Sequence, residues 1–107
     1  MDIESVIIDK VKYAEIPEGI TIRSNYILYK FNQRIKAILN RCKHEGGRFI
    51  KGDDEGTLIC PRHGWSLDLS RMEYTNPVGV FQDVLRIEQD GEDIIIFNDK
   101  NLFPIKI

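Results

Sequence analysis

Two short runs hold every thiol and every imidazole of this chain: Cys42-Lys43-His44 and, after fifteen intervening residues, Cys60-Pro61-Arg62-His63. The protein has two cysteines and two histidines in all. Two thiolates and two neutral imidazoles make a four-ligand metal site. Zinc accepts such a set in a tetrahedron, but common zinc motifs group Cys with Cys and His with His. Here each run supplies one of each. That order suits a binuclear iron centre in which one iron takes both sulfurs and the other both rings. Structural zinc is the alternative.

The residues around the ligand candidates carry further expectations. Gly46, Gly47 and Gly64 either let the backbone approach the metal or satisfy loop dihedrals. Pro61 stiffens the second loop, and Trp65 packs beneath it as a large apolar group. Arg41, Lys43, Arg48 and Arg62 crowd the ligands. They read either as a patch steering an acidic partner or as an ordinary charged surface. The run Asp53-Asp54-Glu55 is expected to be a solvated turn, not a metal site. Tyr26 and Tyr29 are read as strand packing residues.

The elements that must position these loops are short strands. Between frequent turn residues, β-branched and aromatic types dominate, which predicts strands over 6–8, 20–23, 25–31, 34–39, 57–59, 65–69, 84–88 and 93–97. Pro17-Glu18-Gly19 reads as a turn, and Asn32-Gln33 as a two-residue hairpin turn. Asp90-Gly91 marks the strongest hairpin in the sequence. The ligand loops fall at about 40–52 and 60–69. Residues 76–79 are a loop by their turn chemistry. The stretch 70–83 has no clear pattern. The whole predicts an all-β fold, a small antiparallel sandwich or barrel, as one domain over 1–107.

Composition narrows the function. Of 107 residues, 42% are apolar and 30% charged, as in ordinary globular proteins. The net charge of −2 argues against a nucleic-acid binder. Charge is uneven: residues 1–40 and 41–63 each carry +1, and 64–107 carries −4. The longest strongly apolar run, Ile94-Ile95-Ile96-Phe97, is far short of a bilayer span. The acidic N-terminus has no signal-peptide pattern, so a reducing cytosol is expected. No P-loop or dinucleotide fingerprint is present. No histidine remains for an oxygen-activating facial triad once the four-ligand site is built.

Cys42-Lys43-His44 with Cys60-Pro61-Arg62-His63-Gly64-Trp65-Ser66-Leu67-Asp68 resembles the Rieske [2Fe–2S] signature, Cys-x-His…Cys-Pro-x-His-Gly-Trp-x-Phe-Asp. The resemblance implies a Rieske-type β fold with a two-loop cluster-binding subdomain. It implies Cys42 and Cys60 on the inner iron and His44 and His63 on the outer iron of one [2Fe–2S] cluster. Pro77 would then sit in a third loop covering the cluster.

A narrower likeness joins Cys42-Lys43-His44-Glu45-Gly46-Gly47-Arg48-Phe49-Ile50-Lys51 and Tyr74-Thr75-Asn76-Pro77 to the Rieske segment of the CMP-N-acetylneuraminate hydroxylases. Those enzymes are much longer, so their activity is not carried over. High-potential Rieske proteins have an extra disulfide and place Ser and Tyr hydroxyls where this chain has Trp65 and Leu67. A potential near the low end of the Rieske range, about −150 mV, is therefore expected.

The implied function is one-electron transfer by a monomeric, non-catalytic ferredoxin between a reductase and an oxygenase. A subunit of a split hydroxylase, a redox-sensing module and a structural zinc domain are the alternatives.

Overall fold

The computed structural model describes residues 7–42, 47–62, 64–76 and 78–98. Ten strands and one turn of 3-10 helix, Tyr13–Glu15, make up its regular structure. The strands are β1 (Ile7–Lys12), β2 (Gly19–Ile22), β3 (Tyr26–Phe31), β4 (Arg34–Leu39), β5 (Ile50–Lys51), β6 (Thr57–Cys60), β7 (Trp65–Asp68), β8 (Glu73–Asn76), β9 (Arg86–Asp90) and β10 (Asp93–Phe97). They pair antiparallel in three sheets: β1-β10-β9, β2-β3-β4 and β5-β6-β7-β8. The all-β expectation holds. Among the described residues no helix is long and apolar enough to cross a membrane.

The middle sheet supplies both cores. Ile20, Ile27 and Ile38 pack with Leu58, Leu67 and Tyr74 of the four-stranded sheet and with Phe49, Leu69 and Met72. Their neighbours Tyr26, Leu28, Ala37 and Leu39 pack instead with Leu85, Ile94 and Ile96. Side chains alternate across a strand, so successive residues of β3 and β4 enter opposite cores. A sheet buried on both faces has no polar face to write into its sequence. This is why residues 26–28 and 37–39 read as apolar runs with little alternation.

Local chemistry explains the hairpins. Asn32 and Gln33 both have positive φ (51° and 66°), and Phe31 faces Arg34 across them, as a type I′ turn requires. In the C-terminal hairpin, Asp90 faces Asp93, so the turn is Gly91-Glu92, one residue beyond the Asp90-Gly91 position expected. Gly91 alone has positive φ (62°), which a type II′ turn demands of its first residue. The strand before it runs Arg86–Asp90, later than the expected 84–88, because exposed polar residues are tolerated on this edge.

Other boundaries shift for related reasons. β1 extends to Lys12, beyond the expected end at residue 8. It is an edge strand with mostly exposed side chains, so Asp9, Lys10 and Lys12 do not stop it. The unpatterned stretch 70–83 contains β8 and a bridge between Glu73 and Phe81. The turn before β8 buries Leu69 and Met72 around the exposed Ser70 and Arg71, and Met72 takes a φ of 53° with no glycine to announce it.

Candidate metal centre

The first ligand loop leaves the end of β4. Asn40, 4% exposed, closes its base. Its amide nitrogen Nδ2 donates to the Arg23 carbonyl (2.8 Å), and its Oδ1 accepts the Phe49 N–H (2.9 Å). Its own backbone N–H donates to the Asn25 carbonyl (2.9 Å). Within the loop the Cys42 N–H donates to the Gly47 carbonyl at 2.6 Å. The second loop is a tight reversal between β6 and β7. Cys60 ends β6 opposite Trp65, and the Gly64 N–H donates to the Cys60 carbonyl (2.9 Å).

These two loops bring Cys42 and Cys60 into the same core. Cys42 is 0% and Cys60 1% exposed, and they are not joined in a disulfide. Phe49, Leu58, Leu67 and Tyr74 belong to that core, with Trp65 packed against it. The Tyr74 ring meets Trp65 edge-on (centroids 5.3 Å) and tilts against Phe49 (6.5 Å). Trp65 thus packs as expected.

Gly47 lies between the Cys42 backbone and the Cys60 thiol. Its carbonyl holds Cys42, and a Cβ added to it would stand 2.6 Å from Cys60 Sγ and 3.0 Å from Arg62 Cδ. Of the two readings open for the glycines, Gly47 serves close approach. Gly64 serves the dihedral: its φ is 73° with open space around it. Gly46, Lys43, His44, His63 and Pro77 lie outside the described residues.

The remaining sequence candidates occupy the surface. Arg41, Arg48, Pro61 and Arg62 are exposed. Asp53, Asp54 and Glu55 form an exposed turn in which Asp54 Oδ1 accepts the Gly56 N–H (3.1 Å). Hydrogen bonds from Thr57 and Gly56 hold the Asp54 carboxyl below the usual carboxylate range. Tyr29 stacks on Phe31 (6.1 Å), and the buried Tyr26 donates its hydroxyl to Asp9 Oδ2 (2.6 Å). Burial, then that hydrogen bond, pushes Tyr26 up to about 12.

Hydroxyls of the four-stranded sheet are hydrogen-bonded. Tyr74 donates to Gln82 Oε1 (2.5 Å), and Ser66 and Thr75 share a hydrogen bond (2.5 Å). Sequence reasoning did not single out Asn40 or Gln82, both buried amides. Their only signal is a polar residue beside apolar ones, which periodicity does not separate from a surface position.

A family profile described as the Rieske [2Fe-2S] domain matches residues 8–82. The cytidine monophosphate-N-acetylneuraminic acid hydroxylase of Cricetulus griseus is 44% identical over 98 residues, covering 82% of this chain. The chain spans about 17% of the length of that curated relative. Among solved structures, the ferredoxin of carbazole 1,9a-dioxygenase from Nocardioides aromaticivorans IC177 superposes with a TM-score of 0.61 at 17% identity. That match covers 86% of this chain and 97% of the ferredoxin. The terminal oxygenase of the same system gives 0.60 at 19% identity, covering 90% of this chain and 30% of the oxygenase. At these identities the structural likeness establishes the fold.

The residues present suit an iron–sulfur cluster. Buried sulfurs without a disulfide supply soft donors, and Gly47 leaves a cradle that any side chain would fill. Zinc is not the metal this family carries. The profile match over residues 8–82, on a β fold shared with Rieske proteins, shows that the chain belongs to the Rieske [2Fe-2S] domain family and is built for one [2Fe–2S] cluster.

Proposed function

We propose that the chain is a one-electron carrier and that residues 1–107 act as a single domain. Cys42 and Cys60 bind the inner iron of the cluster, and His44 and His63 bind the outer iron. When bound, the cluster supplies a one-electron couple near the low end of the Rieske range.

The chain's own residues do the rest. Phe49, Leu58, Leu67 and Tyr74 keep water from the thiols, which lowers the local dielectric and stabilises the less charged state. Tyr74 donates its hydroxyl to Gln82, and Ser66 shares a hydrogen bond with Thr75. Arg41, Arg48 and Arg62, with the exposed Val78 and Phe81, offer a basic and apolar rim to a partner.

The observation that carries this reading is two buried cysteines in one core of a Rieske-family chain, with Gly47 bonded to the Cys42 backbone and set against the Cys60 thiol. The partners are a reductase and a terminal oxygenase, as the likeness to a dioxygenase ferredoxin supports. Anaerobically purified protein should be coloured, contain iron and inorganic sulfide in equal amounts, and give a Rieske EPR signal on reduction. It should then carry electrons from a reductase to a separate oxygenase. Colourless protein with one zinc ion would refute the reading. A cluster that cycles without stimulating any oxygenase would point to a sensor.

One observation favours a second reading. Identity to the CMP-N-acetylneuraminic acid hydroxylases reaches 44%, against 17% to the ferredoxin. The domain would then deliver electrons to sialic-acid hydroxylation machinery outside this segment. Stimulated hydroxylation of the CMP-linked sugar, with no effect on an aromatic dioxygenase, would select this reading.

A further inference from the structure

Gln82 is a polar side chain only 7% exposed, outside any strand. Both ends of its amide are engaged. Oε1 accepts the Tyr74 hydroxyl (2.5 Å), and Nε2 donates to the Arg41 carbonyl (3.0 Å). Its backbone N–H donates to the Met72 carbonyl (2.7 Å), while the Tyr74 N–H donates to the Val80 carbonyl (2.8 Å). The segment 80–82 is therefore sewn to the start of β8. From that fixed base the amide reaches across 41 residues of sequence to the peptide that precedes Cys42.

That peptide is gripped at both ends. Its carbonyl, from Arg41, takes the Gln82 amide, and its N–H, from Cys42, donates to Gly47. A peptide unit is planar, so fixing its oxygen and its nitrogen fixes the plane from which the Cys42 side chain projects. Gly47 in turn abuts Cys60 Sγ. One continuous set of contacts thus runs from Tyr74 through Gln82, the 41–42 peptide and Gly47 to the second thiol.

We propose that Gln82 is a positioning residue for the cluster: its Nε2 arm fixes the orientation of Cys42, and its Oε1 arm serves the fold. The proposal rests on the assignment of Cys42 as a ligand. A half-satisfied buried amide is costly, so the geometry that engages both arms is strongly preferred.

Three variants of the cluster-loaded protein separate the arms. Gln82→Glu keeps an acceptor for Tyr74 but sets a carboxylate oxygen against the Arg41 carbonyl. Tyr74→Phe removes the hydroxyl and leaves the Arg41 arm. Gln82→Leu removes both. The readouts are the EPR linewidth of the reduced cluster, the rate of bleaching by a ferrous chelator, and the melting temperature.

Gln82→Glu and Gln82→Leu should broaden the EPR lines and bleach several-fold faster than wild type. Tyr74→Phe should lower the melting temperature with wild-type linewidth and bleaching rate. Wild-type spectra in both Gln82 variants would overturn the proposal. So would equal broadening in Tyr74→Phe and Gln82→Glu at matched loss of stability. Wild-type protein that never holds a cluster would instead refute the underlying ligand assignment.

Discussion

Gly47→Ala tests the centre most directly. The new methyl would stand 2.6 Å from Cys60 Sγ and 3.0 and 3.3 Å from Arg62 Cδ and Cγ. Ordinary contact between such atoms is about 3.5–4.0 Å, so the sulfur contact must open by roughly 1 Å. Arg62 is exposed and its methylenes can swing aside. Cys60 cannot: it is 1% exposed and held in register opposite Trp65. The strain therefore falls on the thiol.

Overpacking of this kind costs about 1–3 kcal/mol. A stiffer unfolded chain offsets about 0.4–1 kcal/mol of it. The net loss of about 1–2 kcal/mol lowers Tm by roughly 5–15 °C for a domain of this size.

Gly91→Ala is the control. Its φ of 62° also strains alanine, by about 1–2 kcal/mol, but open space surrounds it at the remote hairpin. Thermal melts and iron-to-protein ratios of both variants decide the matter. Both should lose stability, and only Gly47→Ala should lose most of its iron. Full iron content in Gly47→Ala, or equal iron loss in Gly91→Ala, would refute the claim that Gly47 is kept small for the thiol.

Gln33 holds a left-handed φ of 66° in a turn that favours glycine, so Gln33→Gly should stabilise the protein by about 1 kcal/mol in chemical denaturation; a loss of stability would contradict this. Tyr26 keeps its proton up to about 12 in the fold, against an ordinary value of 10.0. Its neutral form is thus favoured by folding. The contribution is complete below pH 10 and is lost as pH rises toward 12. Urea midpoints between pH 9 and 12 should fall more steeply for wild type than for Tyr26→Phe, and parallel curves would dismiss the effect. Reduction by an acidic partner should slow markedly with added salt if Arg41, Arg48 and Arg62 steer docking, whereas a flat response removes that role. Spectroelectrochemical titration should give a potential of about −150 mV, and a value well above zero would show that other donors reach the cluster.

Chemistry that is local in the chain was legible in the sequence. The alternation of Cys and His within each run already favoured iron–sulfur over zinc, because a ligand set depends on which side chains a short loop offers. The Asn32-Gln33 turn was legible because a two-residue hairpin is decided by the residues inside it. Register at Gly91-Glu92 was not, since one residue of slip is settled by the pairing of Asp90 with Asp93. The apolar runs in β3 and β4 showed strand but not layer, because burial on both faces erases the period that would assign a side.

Tertiary structure alone decided how the centre is held. The closing of the first loop by Asn40, the reach of Gln82 to the Arg41 carbonyl and the approach of Gly47 to Cys60 join residues from separate elements. None leaves a local signature, because each depends on which backbone groups the sheets leave in need of a partner. The sequence by itself determined the β class and which thiols and imidazoles the chain can offer a metal. The folded chain determined the burial of Cys42 and Cys60 in one core, since contacts between distant segments exist only once the three sheets have packed.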